Sequence, residues 1–244
     1  MNDYLKCASQ GDAEGMRKAK ENGDNVHAVD KNGCNAYIAG FASHAEGVIE
    51  QALKDGVDIH IVINEGFNAY LLAAIANRKT FMELAFKHGV DVLQKTYSGE
   101  TAYILGVKNG SVDCMNIARK HGVDVHALME IKDDGMFGGK CNAYYLASFF
   151  GHVNCMQQAK EDGVNINENS FNSYLIGATI ANLAVMQQAR NDGADIYSRT
   201  RDGLNASEIA LFSDDHKILG QTLGDGVKLS RESVECYYKK RGKK

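Results

Sequence analysis

The chain has 244 residues, of which 44% are hydrophobic and 24% charged, with a formal net charge of −4 and a pI near 6.1. These values suit a folded protein with a continuous core; they argue against a disordered chain and against a general nucleic-acid binder, whose footprint would be basic. Met1-Asn2-Asp3-Tyr4-Leu5-Lys6 lacks the apolar stretch of a signal peptide, and no apolar run approaches the ~20 residues that span a bilayer, so a cytoplasmic location is expected.

The first element is predicted between Asn2 and Gly23. There Tyr4, Leu5 and Ala8, then Met16 and Ala19, are interleaved with Lys6, Gln10, Arg17, Lys18, Lys20 and Glu21, which suits a terminal unit with one face in solvent. The closing glycine then recurs. Gly23, Gly56, Gly89, Gly122, Gly163, Gly193 and Gly226 follow at steps of 33, 33, 33, 41, 30 and 33 residues. Upstream of each of the last six stands a start whose third residue is Tyr37, Tyr70, Tyr103, Tyr144, Tyr174 or Ser207, and the step from it to the glycine is 19 every time. A unit of about 33 residues, with one constant half and one that tolerates insertion, predicts helix-turn-helix repeats joined by loops on one face. A stack of that kind builds a platform, so function is sought on its surface.

Asn68 to Gly89 shows the unit residue by residue. Asn68 is an N-cap, and Tyr70, Leu71, Ala73, Ala74 and Ile75 form a short first helix rich in small residues. Asn77 tolerates the left-handed conformation that ends it, and Gly110 and Gly151 hold that place in later units. Phe81, Met82 and Ala85 mark a second helix, closed by Lys87-His88-Gly89, in which positive charge meets the negative end of the helix dipole; Lys120-His121-Gly122 repeats this ending. Val90-Asp91-Val92 reads as a short extended segment leading into a turn.

This resembles the ankyrin repeat. The family's Thr-Pro-Leu-His-x-Ala start is similar to Asn35 to Gly40, Asn68 to Ala73, Thr101-Ala102-Tyr103 and Asn142 to Ala147; its Gly-His is kept as Gly151-His152, and its Gly-Ala-Asp-Val-Asn ending as Gly193-Ala194-Asp195-Ile196, Gly56-Val57-Asp58-Ile59 and Gly163 to Asn167. The chain contains no proline. Alanine takes the first helical position at Ala36, Ala69, Ala102, Ala143 and Ala206, and the usual histidine is Ile38, Leu71, Ile104, Tyr145 or Leu175, which puts the family's polar network between repeats in doubt. The resemblance implies an all-α solenoid of about seven stacked units with hairpin-like loops. The domain covers 1–228, with an N-terminal cap at 1–29, internal repeats at 30–199 and a C-terminal repeat or cap at 200–228. Residues 229–244 form a short helix with Val234, Tyr237 and Tyr238 on its apolar side, then a basic tail from Lys239 to Lys244. Asp214-Asp215-His216 blurs the start of the last second helix.

Chemistry is not indicated. His27, His60 and His126 share one repeat position, which separates neighbours by ~8–10 Å, too far to share an ion. His88 and His121 are explained as helix C-terminal residues. Asp133-Asp134, Glu161-Asp162 and Asp214-Asp215 are sequence neighbours that do not face one another on a helix. Gly135-Met136-Phe137-Gly138-Gly139 lacks the context of a phosphate loop, and the six cysteines follow the repeat and read as reduced core residues. No catalytic residue, metal, cofactor or small-molecule substrate is assigned.

In the ankyrin family partners bind the concave side made by loop tips and first helices. Carried over by position, this implies a surface of Phe67, Ile75, Phe149, Phe150, Phe171, Ile180, Leu204 and Phe212. The alternative places about half of these side chains in the core between repeats. The segment from Gly122 to Tyr144 is eight residues longer than that from Gly89 to Tyr103, and its loop 127–139 adds Met136 and Phe137 as adaptable contact residues. The expected function is a monomeric, non-enzymatic module that binds another protein, with neither nucleic acid nor membrane as partner. A second reading is a scaffold or decoy segment of a secreted effector from an intracellular pathogen, and a third an enzyme with a cryptic site in the stack.

Overall fold

The computed structural model describes residues 2–131, 139–167 and 172–241. Their helices come in pairs. The first compact unit, up to Asp124, contains α1 (Asp3–Ser9) with α2 (Ala13–Glu21), α3 (Ala36–Ser43) with α4 (Glu46–Lys54), α5 (Ala69–Ile75) with α6 (Lys79–Lys87), and α7 (Ala102–Lys108) with α8 (Val112–Lys120). The second, from Val125, opens on an antiparallel pair of strands, β1 (Met129–Ile131) and β2 (Gly139–Cys141), in which Met129 faces Cys141 and Glu130 faces Lys140. It continues with α9 (Ala143–Phe149) and α10 (Val153–Glu161), α11 (Ser173–Thr179) and α12 (Leu183–Asp192), α13 (Ala206–Phe212) and α14 (His216–Gly224), and ends in α15 (Arg231–Arg241). Within each unit, first helices pack on first helices and second on second.

Most first helices after α1 are largely apolar because neighbours enclose most of their surface. Ala36 to Phe41 of α3 are buried without exception. Asparagine starts most of them and has two tasks. Its side-chain oxygen accepts an early N–H of its own helix, and its amide donates to a carbonyl 23 residues on, across 2.6–2.8 Å: Asn35 to Asp58, Asn68 to Asp91, Asn142 to Asn165, Asn172 to Asp195 and Asn205 to Lys228. One residue thus caps the first helix and ties it to the chain leaving the second. Thr101 caps α7 but has no amide to make the second bond.

The second helices are amphipathic. Met82, Met115, Met156 and Met186, with Ala85, Ala118, Ala159 and Ala189, form the inner stripe and are fully buried. Small residues let the two helices of a pair approach closely: a Cβ added at Gly177 would stand 2.8 Å from the backbone nitrogen of Met186. Between the helices the chain passes through the left-handed region at His44, Asn77, Gly110, Gly151, Ala181 and Asp214, with φ from 54° to 77°. Asp215 then caps α14 by accepting the N–H groups of Lys217 and Ile218, so the last second helix has a well-formed start despite its two aspartates. Four loops are turns closed by the bonds Asp30 N–H to Cys34 C=O, Ile63 N–H to Phe67 C=O, Thr96 N–H to Glu100 C=O and Thr200 N–H to Leu204 C=O; β1 and β2 are the one strand pair among the described residues.

A polar network joins repeat to repeat, through a different residue from the histidine the sequence lacks. Within each compact unit, Tyr4, Tyr37, Tyr70, Tyr144 and Tyr174 send their hydroxyls into the next repeat, to the C-terminal end of that repeat's second helix. Tyr4 donates to Asp55 (2.6 Å), Tyr144 to Asp192 (2.7 Å) and Tyr174 to Asp225 (2.6 Å). Tyr37 meets Nδ1 of His88 (3.0 Å) and Tyr70 meets Nδ1 of His121 (2.9 Å). Each aspartate also takes a cation three residues before the preceding repeat's glycine and a glutamine four residues before itself. These are Lys20 and Gln51 for Asp55, Lys160 and Gln188 for Asp192, and Arg190 and Gln221 for Asp225. Where the C-cap is histidine the cation is replaced by an apolar residue, Leu53 or Phe86, and the Phe86 ring stacks on His121 at 3.8 Å. The other ring nitrogen of His121 meets the Glu83 carboxylate (3.1 Å); a buried carboxylate at the C-terminal end of the helix needs a cation.

Candidate partner-binding surface

The C-terminal ends of the first helices carry the side chains expected to meet a partner. In the first unit Phe67 is half-buried ahead of α5, and Ile75 at the end of α5 is 44% exposed. In the second unit Phe149 is half-buried and Phe150, the C-cap of α9, is 40% exposed. Their rings meet edge to face at 5.3 Å, and Phe150 also lies parallel to His152 at 6.2 Å. Ile180 holds the same position at the end of α11 and is 36% exposed, with exposed Leu183 just beyond the turn. Leu204 and Phe212 are half-buried, and the Lys240 ammonium stands 5.7 Å from the centre of the Phe212 ring. Met136, Phe137 and Phe171 lie outside the described residues.

Other exposed apolar groups had no sequence signal of their own. Val62, Leu93 and Tyr97 stand out from loops of the first unit, Tyr97 being 79% exposed. Phe86 and Leu84 of α6, with Thr80 and with Glu46 and Glu50 of α4, line a groove of about 480 Å³ on the outer helices.

His27, His60 and His126 are exposed, and among the described residues no three histidine, cysteine or acidic side chains converge as metal ligands. All six cysteines are unpaired thiols; burial pushes the thiols of Cys141 and Cys155 up to about 11, which disfavours the nucleophilic thiolate. His88 corrects the dipole reading of its position. Burial, reinforced by neighbouring Lys87, lowers its pKa, so it favours the neutral imidazole that Tyr37 binds rather than a cation at a helix end. Asp55 and Asp192 go the other way. Burial opposes their ionisation, but the hydrogen bonds from lysine, glutamine and tyrosine outweigh it and hold both carboxyls below the usual range.

The last helix differs from its expected form. It runs to Arg241 and none of its residues is buried; Ser233, Val234 and Tyr237 are half-buried while Tyr238 is 67% exposed, and Ser233, Tyr237 and Arg241 bond to Glu208 and Asp214.

No family model and no curated protein matches the sequence. Among solved structures, the crystal structure of the human ASB11 ankyrin repeat domain is similar, with a TM-score of 0.75 over 94% of this chain and 100% of that one, at 16% identity. The chain has the ankyrin-repeat fold. The paired helices, the left-handed turn between them and the loop that leads to the next pair are the ankyrin unit, kept here without its proline and its histidine. In the ankyrin repeats of this chain, tyrosine and a C-cap aspartate or histidine link successive units.

Proposed function

We propose that this chain is a non-enzymatic protein-interaction module and that the ends of its first helices, above all Phe149, Phe150 and Ile180, contact the partner. The supporting observation is the open ring of Phe150, two-fifths exposed on a helix whose residues from Ala143 to Ser148 are all buried. Aromatic groups of this kind dominate binding energy at interfaces, and Phe149 beside it widens the apolar contact. The ankyrin-repeat fold is a common vehicle for protein recognition. No helix among the described residues is long and apolar enough to cross a membrane.

The test is a photo-crosslinking amino acid placed at position 150, with a second copy of the experiment at exposed Leu128. A partner joined at 150 and not at 128 supports this surface; equal or absent labelling at 150 against labelling at 128 moves the site to the long loop.

A further inference from the structure

The flank of α13 is built unlike that of any other first helix. The residue after the start position is Ile38, Leu71, Ile104, Tyr145 or Leu175 in the other repeats and Glu208 in the last. Glu208 is buried, with its side chain 2% exposed. Two donors reach it from the segment that leads into α13, the N–H of Asn205 (3.0 Å) and the guanidinium of Arg199 (3.2 Å). Two more come from the start of α15, the N–H of Ser230 (3.2 Å) and the hydroxyl of Ser233 (3.0 Å). At the far end of α13, Asp214 accepts from the Tyr237 hydroxyl (2.7 Å) and from Arg241 (2.5 Å), while Lys240 lies over Phe212. Ser233, Tyr237 and Arg241 are spaced four residues apart and so share one face of the helix.

This contact is specific and shallow. It reads a hydroxyl, an aromatic hydroxyl and a cation in sequence along a helix, yet no residue of α15 is buried. The Asp214 side chain that holds Tyr237 and Arg241 is 46% exposed, so water and a competing helix can reach these contacts. If α15 departs, Glu208 retains its bonds from Asn205 and Arg199, so opening strands no buried charge.

We propose that the α13 flank is a docking surface for a partner helix that presents a hydroxyl, a tyrosine and a basic residue at four-residue spacing, and that α15 is its resident, displaceable occupant. The partner chemistry follows from what the surface already holds: two carboxylates that accept, and the Phe212 face that takes a cation. A resident helix reduces the apparent affinity for an incoming one by the fraction of time the surface is free. This proposal is independent of the Phe149–Phe150 reading.

The probe is a fluorescein-labelled peptide with the sequence of residues 229–241, titrated by anisotropy against the full chain. The double variant Tyr237→Phe/Arg241→Gln loosens the resident helix and is expected to bind the probe at least tenfold more tightly than wild type. Adding Asp214→Asn, an exposed change that leaves the core intact, removes that gain. Equal affinity in wild type and double variant, or no effect of Asp214→Asn, overturns the proposal. Light scattering that shows the chain as a dimer dissociated by the peptide also overturns it, because the occupant is then a second copy. Amide exchange provides the control: residues 231–241 should exchange at least tenfold faster than α13 in wild type, and equal protection would make α15 a fixed cap.

Discussion

Tyr4 donates its hydroxyl to Asp55 at 2.6 Å, bridging two repeats across 51 residues of chain. The Asp55 side chain is 3% exposed, so it ionises only because Lys20, Tyr4 and Gln51 surround it. The same arrangement returns around Asp192 and Asp225.

Breaking one link therefore measures the coupling between neighbours. Tyr144→Phe and Asp192→Ala should each destabilise the chain by about 1–3 kcal/mol, with a coupling energy of roughly 1 kcal/mol or more in the double-mutant cycle. Additive effects in urea denaturation would mean that the bond contributes nothing to the stack.

The His88 link gives the first unit its own pH dependence. The folded-state pKa of His88 lies below the ordinary 6.5, so on acidification the unfolded chain takes up the proton first. Its contribution is complete above pH 6.5 and is lost as pH falls from there towards the folded value. Asp55 and Asp192, lowered from 3.8, keep theirs down to that pH and lose it only below. Urea midpoints between pH 7.5 and 5 should fall more steeply for wild type than for His88→Asn. Parallel curves would remove His88 from the account.

Ala181 occupies a left-handed turn, φ 55°, where Gly110 and Gly151 stand in other repeats. An L-residue with a Cβ pays there about 1–2 kcal/mol of steric strain. Ala181→Gly should raise stability by roughly 0.5–1 kcal/mol after the extra freedom of glycine in the unfolded chain is counted. A lower chemical-denaturation midpoint would show that the Cβ makes a contact worth more than the strain.

Met156 and Ala159 face inward on α10, both fully buried. Met156→Ala should cost about 2–5 kcal/mol through the cavity it leaves. Ala159→Leu should cost about 1–3 kcal/mol by overpacking. Near-wild-type midpoints for both would contradict the inner stripe.

The helix pairs were legible because burial imposes a period: a constant 19-residue step keeps the same side chains facing the same neighbours. Tyr4 belongs to that series, 19 residues before Gly23, although the charged residues around it read first as a solvent-facing cap. The tyrosine network was not legible, since its partners lie 48 to 51 residues away and become neighbours only once two turns have folded. One signal was available, the switch of the residue three before each glycine from Lys20, Lys160 and Arg190 to Leu53 and Phe86 when the next C-cap changes from aspartate to histidine. The α15 contact was hidden for another reason. Val234, Tyr237 and Tyr238 suggest an apolar seam; Val234 and Tyr237 are half-buried, but Tyr238 is exposed, and the bonds that dock the helix run from Ser233, Tyr237 and Arg241 to carboxylates.

The central claim is that the first-helix ends of the second unit bind a protein, and Phe150→Asp tests it most directly. The variant should melt within a degree or two of wild type, because Phe150 is already open to water. Once the crosslinked partner is identified, its affinity for the variant should fall by about 30-fold or more, the equivalent of 2 kcal/mol lost at an aromatic anchor. A folded variant that binds that partner with unchanged affinity would contradict the claim, and a variant that unfolds would show Phe150 to be part of the core.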